Sequence, residues 1–144
     1  MPGATIKLLL VEDNPGDVRL AQEALREARI QNTMDVVTDG EQALAYLCGE
    51  GTYADYPLPD LILLDMNLPR MDGFELLDEI KKKPRLAEIP LVILAASRLD
   101  GPMLKQYNVP LHCMVLKPLT VDRLIEAVKC FPQLGITIVK IASA

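Results

Sequence analysis

Four charged residues stand directly after short apolar runs, where an unneutralised charge is hardest to place. Ile6 to Val11 ends in Glu12-Asp13, Leu61 to Leu64 in Asp65, and Cys113 to Leu116 in Lys117. If those runs are neighbouring parallel strands, three carboxylates and one ammonium converge on one rim. Two carboxylates about 4 Å apart repel by roughly 4 kcal/mol at an effective dielectric near 20, so three of them require a cation. Hard oxygen donors suit Mg²⁺, which keeps several of its waters and is commonly held by one or two carboxylates together with a phosphate. A carboxylate can also attack phosphorus, giving an aspartyl phosphate, while a lysine and a metal neutralise the transferred group. The chemistry asks that one acid attack and the others hold metal, without saying which.

Taken singly, each residue has an ordinary explanation. Asp13 reads as a turn or cap acid, Asp65 as a loop acid, Glu12 as a solvated charge, and Lys117 beside a proline as an exposed lysine. Their joint placement at the ends of the first, third and fifth runs selects the functional reading.

The elements that must position them follow from the apolar periodicity. Runs at Ile6 to Val11, Met34 to Thr38, Leu61 to Leu64, Leu91 to Ala95 and Cys113 to Leu116 read as strands. Between them lie segments of helical spacing, such as Val18, Leu20, Ala21, Ala24, Leu25 and Ala28. Strands alternating with helices predict an α/β fold, a doubly wound five-stranded parallel sheet covered on both faces. Such sheets bind ligands at the carboxyl ends of their strands. Asn14-Pro15 predicts a capped helix start, and Asp72 with Glu75 predicts an acid-capped box opening a helix through Ile80. Gly101-Pro102 opens a short fourth helix, and Thr120 caps a fifth through Val128. The stretch GEGTYADYPLPD, 49–60, is a surface connection. After Pro132 the chain resumes as GITIVKIA, an extended C-terminal tail apolar on both faces that needs cover, from its own domain or from another subunit.

Composition narrows the function. Fifteen Lys plus Arg against twenty Asp plus Glu leave a net charge of −5 over 144 residues, one domain's worth of chain. That balance offers no electrostatic footprint for nucleic acid. The apolar start stops at two acids after six residues, too short for a signal peptide or a membrane span. Cys48, Cys113 and Cys130 lack metal-ligand or disulfide spacing and fit a reducing cytoplasm. His112 and the scattered Met66, Met71, Met103 and Met114 read as packing residues, and Tyr46, Tyr53, Tyr56 and Tyr107 as residues of loops and helix surfaces.

With these residues in view, LLLVEDN, LILLDMNLPRMDG and the late LKP resemble the receiver domain of bacterial response regulators, the CheY-like group. The resemblance runs from about Ile6 to about Phe131, which implies a receiver domain over 1–131 and an extension over 132–144 that would serve as a dimerisation arm. It implies the flavodoxin-like strand order 2-1-3-4-5. It further implies that Asp65 is the phosphoacceptor, that Glu12 and Asp13 hold Mg²⁺ with Asp13 the more direct ligand, and that the backbone carbonyl of Asn67 completes the metal site. Lys117 would pair with the phosphoryl group, ahead of a cis Lys117-Pro118 bond. The wording EDNPGDVRLAQEAL, with LPRMDG and the GITIVKI tail, is similar to stand-alone receivers that partner phytochrome-type sensor histidine kinases. Members of that subgroup dimerise, which implies a homodimer formed through the tail or through the face of the fourth and fifth helices.

The expected function is therefore that of a single-domain, cytoplasmic response regulator. It takes a phosphoryl group from a histidine kinase onto Asp65 and signals by protein contact or onward phosphotransfer, catalysing nothing beyond its own phosphorylation and dephosphorylation. Two positions depart from the family pattern. Where receivers carry a Ser or Thr at the end of strand four and an aromatic on strand five, this chain has Ala95 and Met114, with Ser97 two residues on. A hydrogen bond to a charged partner contributes about 1.5 to 3 kcal/mol and switch couplings run about 1 to 3 kcal/mol, so losing the hydroxyl removes most of such a bias. The alternative is a phosphorylation-independent binding module on the receiver scaffold. A flavin carrier would want a Ser/Thr/Gly-rich loop where EDNPGD stands, and a haloacid-type phosphatase a second Asp where Asn67 stands.

Overall fold

The computed structural model describes residues 5–66, 68, 71, 73–95, 114–117 and 119–129. Five parallel strands, β1 (Ile6–Val11), β2 (Asn32–Val37), β3 (Leu61–Asp65), β4 (Leu91–Ala95) and β5 (Met114–Leu116), form one sheet in the order β2-β1-β3-β4-β5. Chain order reverses across β1 and β3, where Val11 lies opposite Leu64. This is the flavodoxin-like receiver topology expected from the sequence.

The strands are apolar along their length because both faces are covered. Leu8, Leu10, Leu61, Leu63, Val92, Leu94 and Val115 pack with Ala21, Leu25 and Leu124 on one side. Leu9, Val11, Ile62, Leu64 and Ile93 pack with Leu47, Leu76 and Leu77 on the other. The helices that supply those partners are α1 (Pro15–Glu27) and α5 (Val121–Val128) on the first face, α2 (Gly40–Cys48) and α3 (Gly73–Lys82) on the second. A single turn, α4 (Pro84–Ala87), precedes β4 and buries Leu86. Its signal in the sequence was a proline at the first helical position, too brief to register as a periodic segment.

The predicted caps at Asn14 and Thr120 form. Asn14 Oδ1 accepts from the N–H groups of Gly16 at 2.8 Å and Asp17 at 3.2 Å, and Thr120 Oγ1 accepts from Arg123 N–H at 3.2 Å. The second strand begins two residues earlier than predicted and ends at Val37. Thr38 leaves the ladder because its N–H donates to Gln42 Oε1 at 3.0 Å, while the buried Asp39 caps α2 by accepting from Gln42 N–H at 2.8 Å. The third helix runs two residues past Ile80, to Lys82.

Tyr46 corrects its surface assignment, being 2% exposed. Its ring packs against Tyr53 in a tilted arrangement at 5.3 Å and against Tyr56 edge-to-face at 5.4 Å, and its hydroxyl donates to Asp35 Oδ2 at 2.6 Å. That bond, with Lys7 paired at 3.3 Å, holds the Asp35 carboxyl below its ordinary range. A tyrosine can be buried on a helix when its hydroxyl finds such an acceptor, a condition the periodicity of α2 does not reveal. No helix among the described residues is long and apolar enough to cross a membrane.

Candidate metal centre

Strand parity decides which charges meet. Along β1, Leu8 and Leu10 face α1 and α5, and Glu12 is next in that phase; along β3, Leu61 and Leu63 lead to Asp65; on β5, Val115 leads to Lys117. Because β1 and β3 are adjacent and in register, Glu12 and Asp65 emerge side by side. Lys117 is brought in from two strands away, its N–H donating to the Ala95 carbonyl at 2.8 Å.

The ammonium of Lys117 lies 2.9 Å from Glu12 Oε1, 3.0 Å from Asp17 Oδ2 and 3.2 Å from Asp65 Oδ1. Glu12 and Asp65 are each 1% exposed, whereas Asp13 is exposed. Burial, then the hydrogen bond shared with Asp65, pushes the Glu12 carboxyl up to about 7, against the opposing pull of Lys117. For Lys117, burial works against the charge. The close contacts with Glu12 and Asp17 and the charges of Asp65 and Glu12 outweigh it and hold the ammonium above its ordinary range.

Glu12, Asp13 and Asp65 each offer an oxygen, all within 4.8 Å of one another. Glu12 Oε1 is buried without a well-directed hydrogen-bond donor, the nearby Lys117 contact being an ion pair off the bonding direction. Three carboxylates, one with a buried oxygen that accepts no hydrogen bond and one open to solvent, fit a partly hydrated Mg²⁺. The cluster stands at the carboxyl ends of the strands beside the topological switch point, where α/β sheets bind their ligands.

Of the residues singled out from the sequence, Glu12, Asp13, Asp65 and Lys117 are brought together. Ala95 is fully buried at the end of β4, and Met114 is half-buried against the α2 and α3 side of the core. Asn67, Asp72, Ser97, His112, the Lys117-Pro118 bond, the helix predicted at Gly101-Pro102 and the tail over 132–144 lie outside the described residues. Asp17 was missed. Its signal was present in α1, where it shares the helical phase of the buried Ala21, Ala24, Leu25 and Ala28, a phase in which an acid needs a reason.

The sheet order and the acid cluster at its switch point define a receiver domain. The response regulator receiver domain family matches residues 8–129, and the chain belongs to it: it is a receiver-domain response regulator of two-component signalling. It is 39% identical over 122 residues to the response regulator Rcp1 of Synechocystis, covering 85% of this chain and 83% of that one. The phosphorylated cyanobacterial phytochrome response regulator RcpA superposes with a TM-score of 0.74 at 40% identity, covering 94% of this chain and 99% of its own. The bacteriophytochrome response regulator AtBRR does so with a TM-score of 0.81 at 33% identity, covering 98% and 100%. The subgroup resemblance seen in the sequence is thus to phytochrome response regulators. Rcp1 has also been solved with Mn²⁺ bound.

Proposed function

We propose that this chain accepts a phosphoryl group on Asp65 from a phytochrome-type sensor histidine kinase in the cytoplasm. The observation that carries this reading is the 3.2 Å approach of Lys117 Nζ to Asp65 Oδ1 inside a cluster of oxygens fit for a divalent cation. An Asp65 oxygen attacks the phosphorus of the donor phosphohistidine, the P–N bond breaks with its electron pair returning to the imidazole, and Lys117 donates to a phosphoryl oxygen. Glu12, Asp13, Asp65 and the backbone carbonyl of Asn67 would hold Mg²⁺, which when bound supplies positive charge opposite the transferring oxygens. Hydrolysis of the acyl phosphate by water returns Asp65, so the protein catalyses only its own phosphorylation and dephosphorylation. Output is by contact with a downstream protein or by onward phosphotransfer, from a homodimer formed through the 132–144 extension or the fourth and fifth predicted helices. Incubation with acetyl phosphate and Mg²⁺ tests the core of this reading on a phosphate-affinity gel. The native chain is expected to shift and Asp65→Asn to stay put.

A second reading, a binding module that works without phosphorylation, draws support from the buried Ala95, which has no hydroxyl to offer a phosphoryl oxygen. The absence of any Asp65-dependent shift would favour it. Light scattering addresses the dimer: a chain ending at Pro132 is expected to lose mass relative to the full chain if the tail is the arm, and an unchanged dimer mass moves the interface to the helices.

A further inference from the structure

The established chemistry of such a site uses the lysine and the strand-end acids and leaves Asp17 without a task. Asp17 sits in the first turn of α1, its Oδ2 3.0 Å from Lys117 Nζ and its side chain 29% exposed. The Lys117 ammonium lies within ion-pair distance of three carboxylates, Glu12 and Asp65 at the base of the cluster and Asp17 at its edge, and it donates a hydrogen bond to Asp17 Oδ2. The first two also belong to the group of carboxylates that could hold a metal ion. An ammonium and a divalent cation about 4 Å apart repel by roughly 8 kcal/mol at an effective dielectric near 20, twice the single-charge figure, so both cannot lean on Glu12 and Asp65 at once.

We infer that Asp17 is a positioning residue that gives the Lys117 ammonium a second resting place, drawing it off Glu12 so that the acid cluster can take up Mg²⁺. This rests on the cluster being the metal site, as proposed above, and adds a role on α1 that no strand-end residue can perform. Asp13 faces solvent and Asp65 belongs to the metal group, which leaves Asp17, among the described residues, as the carboxylate paired with Nζ that lies outside the set of three grouped acids. The cap supports the role: Asn14 Oδ1 holds the N–H of Asp17 at 3.2 Å, fixing the backbone from which its carboxylate reaches Lys117.

A double-mutant cycle on Mg²⁺ affinity, read by amide NMR titration of the unphosphorylated full chain at constant ionic strength, tests it. Lys117→Met removes the competing ammonium and is expected to tighten Mg²⁺ binding. Asp17→Asn is expected to weaken binding in the native background by about fivefold more than in the Lys117→Met background, a coupling within the range seen for residues in one ion-pair network. Asp17→Glu, which keeps the carboxylate, should restore most of the loss. Equal weakening in both backgrounds would reduce Asp17 to a distant negative charge and overturn the inference, as would no weakening in either. Lys117→Gln provides a second background if Lys117→Met does not fold. The titration needs no phosphoryl donor. A chain that binds Mg²⁺ with the expected coupling yet shows no Asp65-dependent phosphorylation would overturn the phosphotransfer reading alone, and one that binds no Mg²⁺ at the cluster would overturn both the metal assignment and this role.

Discussion

Glu12 is held in a state unusual for a surface-charge residue. Its folded carboxyl titrates near 7 against an unfolded value of 4.5, so between those pH values the folded state binds a proton that the unfolded state has lost. Stability contributed by this group is therefore full below about 4.5 and is lost as pH rises toward 7. In EDTA, urea unfolding of the native chain is expected to show this decline, and Glu12→Gln to flatten it by an amount on the order of 3 kcal/mol. A decline of the same slope in the variant would assign it to other groups. The strand-end acids and the lysine could be read from the sequence because each directly follows an apolar run whose alternation fixes its face. Asp17 could not be read so directly, because its partner is 100 residues away and only the fold brings them together. Tyr46 was misread for a related reason: its burial depends on Asp35 of β2 and on Tyr53 and Tyr56 of the following connection, which periodicity along one helix cannot report.

At the scale of the element, the strands and most helices were legible because covering a parallel sheet on both faces forces continuous apolar runs between amphipathic segments. The single turn α4 and the early start of β2 were not, since each is set by neighbours and not by its own pattern. The junction after β3 shows how closely an element's start can be tied to the site. A Cβ on Gly73 would meet the Met66 Cα at 2.5 Å and its Sδ at 2.8 Å, and Gly73 N–H donates to the Met66 carbonyl at 3.1 Å. Met66 directly follows Asp65, so the close approach of α3 anchors the backbone at the end of β3. Gly73→Ala is expected to lower stability by about 1 to 3 kcal/mol, the usual cost of overpacking, and to slow phosphorylation by acetyl phosphate. An unchanged urea midpoint would show that Met66 yields without strain.

For the molecule as a whole, the question is how a change at Asp65 reaches a distant surface. Ala95 continues the phase of Leu91 and Ile93 on the α2 and α3 side of the sheet, and Met114 packs against that same cluster. Glu12, Asp65 and Lys117 continue the opposite phase. The site and its expected relay thus leave the sheet on different faces, and the hydroxyl that would bridge them is missing. Beryllium fluoride, a phosphoryl analogue, is expected to move amide resonances around Asp65 and Lys117 strongly and those of Met114 and Val115 weakly. Ala95→Thr should enlarge the second set, and full-sized shifts in the native chain would mean that transmission bypasses the position.

The lysine among the carboxylates makes the site one that carries its own counterion. Because Lys117 is tethered to β5, its local concentration is set by the chain and not by the buffer, and the cation a divalent ion must chiefly compete with is always present. Bulk monovalent salt can add little to a competitor already in place and is poorly able to screen groups this deeply buried. Metal occupancy should accordingly vary less with ionic strength than a cluster of three acids in open water would suggest.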